Sequence, residues 1–496
     1  MKQFKIIFSI LFIIFCQNLF SEGTEQIDSL PSEIITFQSL EPGWFGSISD
    51  SNLTEKESKK NYLIGSLVMV FSNVALKDWN QYFIGAGWAQ VRWEDVCEPW
   101  EREVEFDTDW YWTNFVLHPY QGNLYYTSAR NSNLNVAESF LITVLGSAMW
   151  EYFCELNDPS INDFIYTSFG GVAIGEMLYR LSLEAQDVSP FLSYVINPMR
   201  LITDPFTGHK PNGPKGKLRE LSLKGGIGAA GTGTWFEKDY DFSQELFPGF
   251  GFIELYTVYG DPYKHSSNIP FSQFELQMGG GAGLGSGYGV DSIEQKLMYD
   301  IHIFSNGMLF ARNVDWGENL DTTLGIVLDY DFMWHSFMEF SSLAPGFAIK
   351  QRYNGSNNIV KWQFHLDALL LGTSDFYYFR RDLLPTLTSG PCRDYGYTFG
   401  GETVVKFNWE NIKGHSLDLA FNGYAMYKFP FQTQNNDDTG WEFLGFTDLS
   451  YEFAVSKAIS VGIANEFYFK KALYDEKPDL FSILDSTTCY IRYNFM

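Results

Sequence analysis

From Leu218 to the C-terminus, apolar residues recur at every second position, and that period restricts the second half of the chain to antiparallel sheet. Leu417, Leu419 and Phe421 alternate with Ser416, Asp418 and Ala420, and Leu449, Tyr451, Phe453 and Val455 alternate with Ser450, Glu452, Ala454 and Ser456. The same dyad runs through Leu324, Ile326, Leu328 and Tyr330, through Trp362, Phe364 and Leu366, and through Val461 and Ile463 followed by Phe467 and Phe469. The opposite face is polar, with Lys361, Gln363, His365 and Asp367, then Glu402 and Lys406, then Glu466 and Tyr468. A soluble sandwich would alternate too, so three other features choose a membrane barrel: an export signal, strands of about ten residues or more flanked by aromatics, and short connections alternating with long ones. The short ones include 354–357 and 410–414, and the long ones 373–392, 430–439 and 472–482. The pattern predicts a barrel of about 12 strands, an even number as single-chain bacterial barrels have.

Lys2 and Lys5, the apolar run 6–15 and a small residue at Ser21 have the layout of a secretory signal peptide over 1–21. Its apolar core is too short to span a bilayer permanently. A lipid anchor on Cys16 is disfavoured by bulky Phe15, which stands where such anchors carry a small residue. Residues 22–60 read as an exposed, flexible leader. The formal charge of -26 repels nucleic acid and leaves no basic patch for anionic lipid. Cys97, Cys154, Cys392 and Cys489 are too scattered for a zinc ribbon, and after export their spacing leaves a disulfide open without assigning it.

Between leader and strands, residues 61–203 are predicted to form a helical module, ended by a linker over 204–216 with three prolines and three glycines. The fold class is therefore α+β, a helical module followed by an antiparallel membrane barrel over 217–496. Residues 62–91 are predicted to be helical and packed on the module. Asn135 followed by Glu138 marks the start of a buried helix over 137–156, and Ser160 with Asp163 forms a capping box that starts a second helix running to about Leu183. Gly170, Gly171 and Gly175 predict close packing of the second helix on the first, because each glycine costs about 1 kcal/mol against alanine in a helix interior.

Four residues carry the candidate chemistry. His118 precedes Pro119, which disfavours the α conformation and predicts that a short helix ends there, leaving the imidazole for a general base or a structural hydrogen bond. Glu151 and Glu155 share one face of an otherwise apolar helix and need partners, for which Arg130 is the leading candidate. The functional version is an acid-base or metal pair completed by His118; the structural version is a buried ion-pair network that fixes helix register. Asp163 is accounted for by capping, and Glu176 with Arg180 by a helix-surface pair. Gly279, Gly281, Gly283, Gly285, Gly287 and Gly289 bare one face of a strand, which predicts a bend in the wall or close approach of another backbone such as a helical insert. That stretch lacks a P-loop lysine, and the sequence carries no cofactor motif.

Two resemblances add to this reading. Thr113-Asn114, His118-Pro119, Gly122, Tyr125-Tyr126, Ala129-Arg130, Trp150-Glu151, Glu155, Pro159-Ser160, Asn162-Asp163, Gly170-Gly171 and Gly175-Glu176 resemble bacterial domain of unknown function family 3943 over roughly a hundred residues. The family implies an exported module found with outer-membrane-type β-rich regions, and brings no activity. The last strand, with Ile491, Tyr493 and Phe495 on one face, resembles the C-terminal assembly signal of outer-membrane barrels, with Met496 as a departure. It implies the barrel-assembly machinery as a partner, and outer-membrane lipid as the surroundings. The leading role is then a barrel with the helical module against or inside it as a plug, serving structure or passage in the envelope. An envelope enzyme acting on lipid or another small amphiphile through His118, Glu151, Glu155 and Arg130 is the alternative, and a receptor or adhesin using the long loops is a third.

Overall fold

The computed structural model describes residues 60–97, 102–107, 109–207, 217–236, 243–288, 293–376, 395–430 and 439–495. The signal segment, the leader except Lys60, linker residues 208–216 and Cys392 lie outside them. Thirteen strands follow the helices: β1 (Leu218–Phe236), β2 (Ser243–Tyr259), β3 (Phe274–Tyr288), β4 (Ile293–Asp315), β5 (Leu320–His335), β6 (Glu339–Asn354), β7 (Asn358–Ala368), β8 (Leu371–Asp375), β9 (Tyr395–Asn411), β10 (His415–Lys428), β11 (Gly440–Ala454), β12 (Ile459–Tyr474) and β13 (Leu480–Asn494). Twelve of them pair antiparallel in sequence order, and β1 pairs with β13 from Ser222↔Asn494 to Phe236↔Leu480, which closes the ring. The short β8 pairs with β6 and β9, the two neighbours of β7, beyond the point where β7 ends. Closure leaves no sheet edge.

Contacts between strands that are not neighbours fix which face is the lumen. The Glu275 carboxylate on β3 takes Lys350 Nζ from β6 at 3.0 Å and Lys406 Nζ from β9 at 2.9 Å, while Asp331 on β5 accepts from the Tyr424 hydroxyl on β10 at 2.6 Å. The residues of the polar face, Gln363, His365, Glu402 and Lys406 among them, are on this side, and the alternating apolar residues face outward. Ile326, Phe347, Phe364, Leu366, Leu419 and Ile463 are exposed there, as lipid-facing positions of a barrel are. The lumen is filled. A second node joins Glu442 to Lys428 at 3.0 Å and Lys470 at 3.2 Å, and the connection from β2 to β3 sends Asp261 to Arg352 at 3.1 Å and Tyr263 to Gln363 at 3.3 Å. Beside Glu275, Asp331 and Lys406 lies a cavity of ≈ 20 Å³, room for about one water. The glycines of β3 serve this filling: Phe247, Phe250 and Phe252 of β2 lie where side chains on Gly285, Gly283 and Gly281 would stand. The backbone that comes close to Gly279, Gly281, Gly283 and Gly285 is that of the next strand, through the carbonyls of Ile253, Gly251, Gly249 and Leu246, and not a helical insert.

The helices are α1 (Tyr62–Trp79), α2 (Trp93–Cys97), α3 (His118–Asn131), α4 (Val136–Phe153), α5 (Ile161–Ile165), α6 (Gly171–Val188), α7 (Pro190–Ile196) and α8 (Arg200–Thr207). None is long and apolar enough to cross a membrane. Wide π turns over Thr113–Leu117 and Tyr166–Gly170 lead into α3 and α6. Asn135 caps α4 in a reciprocal box with Glu138, each backbone N–H bound to the other side chain at 2.9 Å. The helix glycines do permit close packing, but the partner is α3 and not α4. A Cβ on Gly171 would lie 2.6 Å from Gly122 Cα, and one on Gly122 would run into the Thr167 carbonyl.

The helical module lies against the outer face of the wall, the first of the two expected arrangements, and not inside the barrel. Tyr330 and Phe332 of β5 alternate with lumenal Asp329 and Asp331, so they point outward, and both are fully buried under the helices. Tyr111 stacks on Phe332 with ring centroids 5.4 Å apart, Phe115 meets Tyr395 of β9 at 5.3 Å, and Asn114 Nδ2 donates to the hydroxyls of Tyr395 and Tyr397 at 2.9 and 3.1 Å. Tyrosine suits such a position because its ring is buried while its hydroxyl finds a partner. Pro119 has no N–H to offer the carbonyl of Phe115 four residues back, and that carbonyl accepts from the Tyr330 hydroxyl.

Candidate functional site

His118 does not end a helix. Its backbone is helical, with φ -64° and ψ -48°, because the π turn before it absorbs the proline and the chain runs on into α3. The consequence separates the four candidate residues. His118 and Arg130 are twelve residues apart on one helix, about 18 Å at 1.5 Å per residue, so they serve different clusters.

Arg130 turns to Glu176, not to Glu151 or Glu155. Its Nε is 2.8 Å from Glu176 Oε2, its Nη2 is 3.2 Å from Oε1, and Tyr179 lies under the guanidinium at 4.5 Å. Arg180 reaches the same carboxylate at 2.8 Å, and the Tyr126 hydroxyl donates to it at 2.8 Å. All three charged side chains are buried, so the Glu176–Arg180 pair is an interior one and not the helix-surface pair its spacing predicted. One carboxylate answered by two guanidiniums and a phenol is a structural arrangement, and Arg180 also ties it to the Pro270 carbonyl of the β2–β3 connection at 3.1 Å.

His118 meets Asp163 and Glu151. Its Nδ1 is 3.1 Å from Thr167 Oγ1, and its Nε2 is 3.5 Å from Asp163 Oδ2. Glu151, at the C-terminal end of α4, accepts the Ser160 backbone N–H on Oε2 at 2.8 Å, while its Oε1 is buried with no hydrogen-bond partner. Asp163 takes Asn162 Nδ2 on Oδ1 at 2.8 Å, and the same amide reaches Asp107 at 2.9 Å. The hydroxyl of Ser160 does accept the Asp163 backbone N–H, at 3.2 Å, so capping accounts for that residue's main chain and leaves its carboxylate for His118. Exposures of 6% for His118, 2% for Glu151 and 3% for Asp163 leave a substrate nothing to touch. Burial pushes the Glu151 carboxyl up to about 8 and the Asp163 and Glu155 carboxyls upward as well, with the neighbouring carboxylates adding to it for Glu155 and Asp163. Burial also lowers His118 to about 4. Arg102 stands beside the cluster, but its guanidinium donates to the carbonyls of Glu151, Tyr152 and Glu155 at 2.8 to 3.0 Å, closing the end of α4.

One ligand atom from each of His118, Glu151 and Asp163 lies within 4.8 Å of the others, and so does one from each of Asp329, His365 and Asp367 in the lumen. The lumenal set has cations beside it, since Asp329 lines one cavity with Lys406, and the charges of Lys350 and Lys406 act on His365. Sequence reasoning found His118 and Glu151 and missed Asp163 and Thr167. The available signal was their spacing: two polar residues four apart share one helix face, on a segment whose following turns are glycines packed on α3.

Residues 103–205 match the family model described as Domain of unknown function (DUF3943). No curated protein matches the chain. Among solved structures, the chain is similar to the transport unit of the autotransporter AIDA-I from Escherichia coli, at 11% identity and TM-score 0.28 over 56% of this chain and 91% of that one. An outer membrane channel from Pseudomonas putida F1 gives 9% identity and TM-score 0.29 over 55% and 94%, and the NanC porin 6% and 0.23 over 53% and 98%. At such low scores the barrel architecture rests on the strand pairing and closure of this chain itself.

Proposed function

We propose that this protein is an outer-membrane β-barrel with a structural role in the cell envelope, whose lumen is closed and whose wall carries the helical module. The observation that carries the reading is the use of the two faces of β5. Asp329 and Asp331 enter the lumenal network, while Tyr330 and Phe332 hold the helices on the face that elsewhere exposes Ile326 and Phe347. The module's own surface supports the same reading, since Leu63, Leu67 and Phe71 of α1 and Leu145 of α4 are exposed while Asn123, Ser139 and Thr143 are buried. Apolar outside and polar inside is the arrangement that surroundings of lipid favour. Export by the N-terminal segment and insertion by the barrel-assembly machinery belong to this reading. Passage through the lumen gains no support from the Lys406–Glu275 and Lys470–Asp375 bridges that cross it. Catalysis gains none from His118 and Glu151, which are buried, or from Arg130, which is committed to Glu176.

Reconstitution into liposomes tests it. The protein should stay with the vesicles through carbonate extraction, and solute entry measured by swelling should equal that of protein-free vesicles. Release by carbonate, or entry at the rate an open porin gives, would overturn the reading.

A further inference from the structure

We propose that His118, Glu151 and Asp163 bind one first-row divalent metal ion, of the zinc or manganese kind, in the core of the helical module. Each of the three side chains has two polar atoms. One atom is held by a fixed protein group: His118 Nδ1 by Thr167 Oγ1 at 3.1 Å, Glu151 Oε2 by the Ser160 N–H at 2.8 Å, and Asp163 Oδ1 by Asn162 Nδ2 at 2.8 Å. That leaves His118 Nε2, Glu151 Oε1 and Asp163 Oδ2, and ligand atoms of these three residues converge within 4.8 Å. Second partners that fix the tautomer and tilt of each ligand are what metal sites require.

The separations agree. His118 Nε2 and Asp163 Oδ2 are 3.5 Å apart, longer than an ordinary hydrogen bond. Two ligands with bonds of about 2.0 to 2.2 Å to one tetrahedral zinc stand about 3.3 to 3.6 Å from each other. The independent observation is Glu151 Oε1, an oxygen of a side chain that is 2% exposed and has no hydrogen-bond partner. The Glu155 carboxyl also lies against Glu151, and carboxyl groups set side by side in the interior are costly unless a proton or a cation sits with them, while the neighbouring Arg102 is turned to backbone carbonyls. Two carboxylates neutralise a divalent ion, and the imidazole nitrogen selects a borderline transition metal over calcium or magnesium, which take oxygen ligands.

The test uses the full chain, folded in detergent and stripped with EDTA, then dialysed against micromolar Zn²⁺ or Co²⁺ and counted by mass spectrometry. The wild type should retain the ion, with Co²⁺ giving visible d–d bands, and Glu151→Gln and His118→Gln should each lower the count by one equivalent. Thr167→Val, which removes only the partner of Nδ1, should weaken binding about 10 to 100-fold. His365→Gln should leave this equivalent in place, because it alters the lumenal cluster. Heat-modifiable gel mobility verifies that each variant is folded; should His118→Gln fail to fold, Thr167→Val and the Co²⁺ spectrum of the wild type still decide. No retained metal in the wild type, an undiminished count in folded Glu151→Gln, or a loss confined to His365→Gln would each overturn the assignment.

Discussion

The segment leading through α5 into α6 meets α3 and the end of α4 at two polar clusters, one around Glu176 and one around His118, and the two are built in opposite ways. At Glu176 a single carboxylate faces Arg130 and Arg180, so its charge is more than answered by the protein. At His118 the carboxylates of Glu151 and Asp163 face an imidazole lowered to about 4, while the nearby guanidinium of Arg102 is occupied with carbonyls. Both lie in the same buried interior, on either side of the Gly122–Gly171 crossing. The difference teaches that burial of charge does not itself mark a site. A cluster whose carboxylate is fully answered by guanidiniums locks the fold, and a cluster with a carboxylate oxygen left over is open to a ligand.

The comparison can be broken most forcefully at Glu176. Glu176→Gln should leave two guanidiniums buried without a counter-charge and cost about 3 to 5 kcal/mol, read by chemical denaturation of the protein folded in detergent. A loss under about 1 kcal/mol would mean that the Arg130 cluster is not the lock. Gly122→Ala comes next, at about 1 to 3 kcal/mol, since the new methyl meets the Thr167 carbonyl at the crossing that separates the clusters. Protease resistance of the helices in that variant should fall with stability; unchanged resistance would show that the crossing has slack. The smallest effect is expected at Glu151. With EDTA present, Glu151→Gln should cost about 1 kcal/mol or less, because the amide can still accept the Ser160 N–H and no buried cation loses its partner. A cost matching that of Glu176→Gln would erase the distinction between the two clusters.

Particular residues show how far the sequence could be read. Lys361, Gln363, His365 and Asp367 declare the polar face of a strand by their period alone, and three of those four side chains are buried in the lumen. Their partners are another matter: Gln363 meets Glu275 at 2.8 Å and His365 meets Asp329 at 3.1 Å, contacts that depend on the register of a closed ring. In the helices, Asn135 with Glu138 gave the start of α4, because a capping box is local chemistry. Arg130 pairs with Glu176 and not with Glu151 or Glu155, and the run of the helix through Pro119 is what decides it. A π turn kept it continuous, and continuity carries Arg130 away from Glu151. The His118 cluster was half legible, since Asp163 has one local role as a cap and a second that only the crossing of α3 by the segment before α6 supplies.

By itself the sequence determined the elements that depend on near neighbours: the dyad strands, the capped helices, and the burial of Glu151 on an apolar helix face. Tertiary structure alone decided that the helices dock on the outward face of β5 and β9, and which lysines and carboxylates pair within the lumen. It also decided which carboxylates meet His118. The physical reason is the range of the interactions. Periodicity and capping are written within a few residues, whereas Tyr330 donating to Phe115 joins positions 215 residues apart, and nothing in either stretch states its partner until the ring has closed.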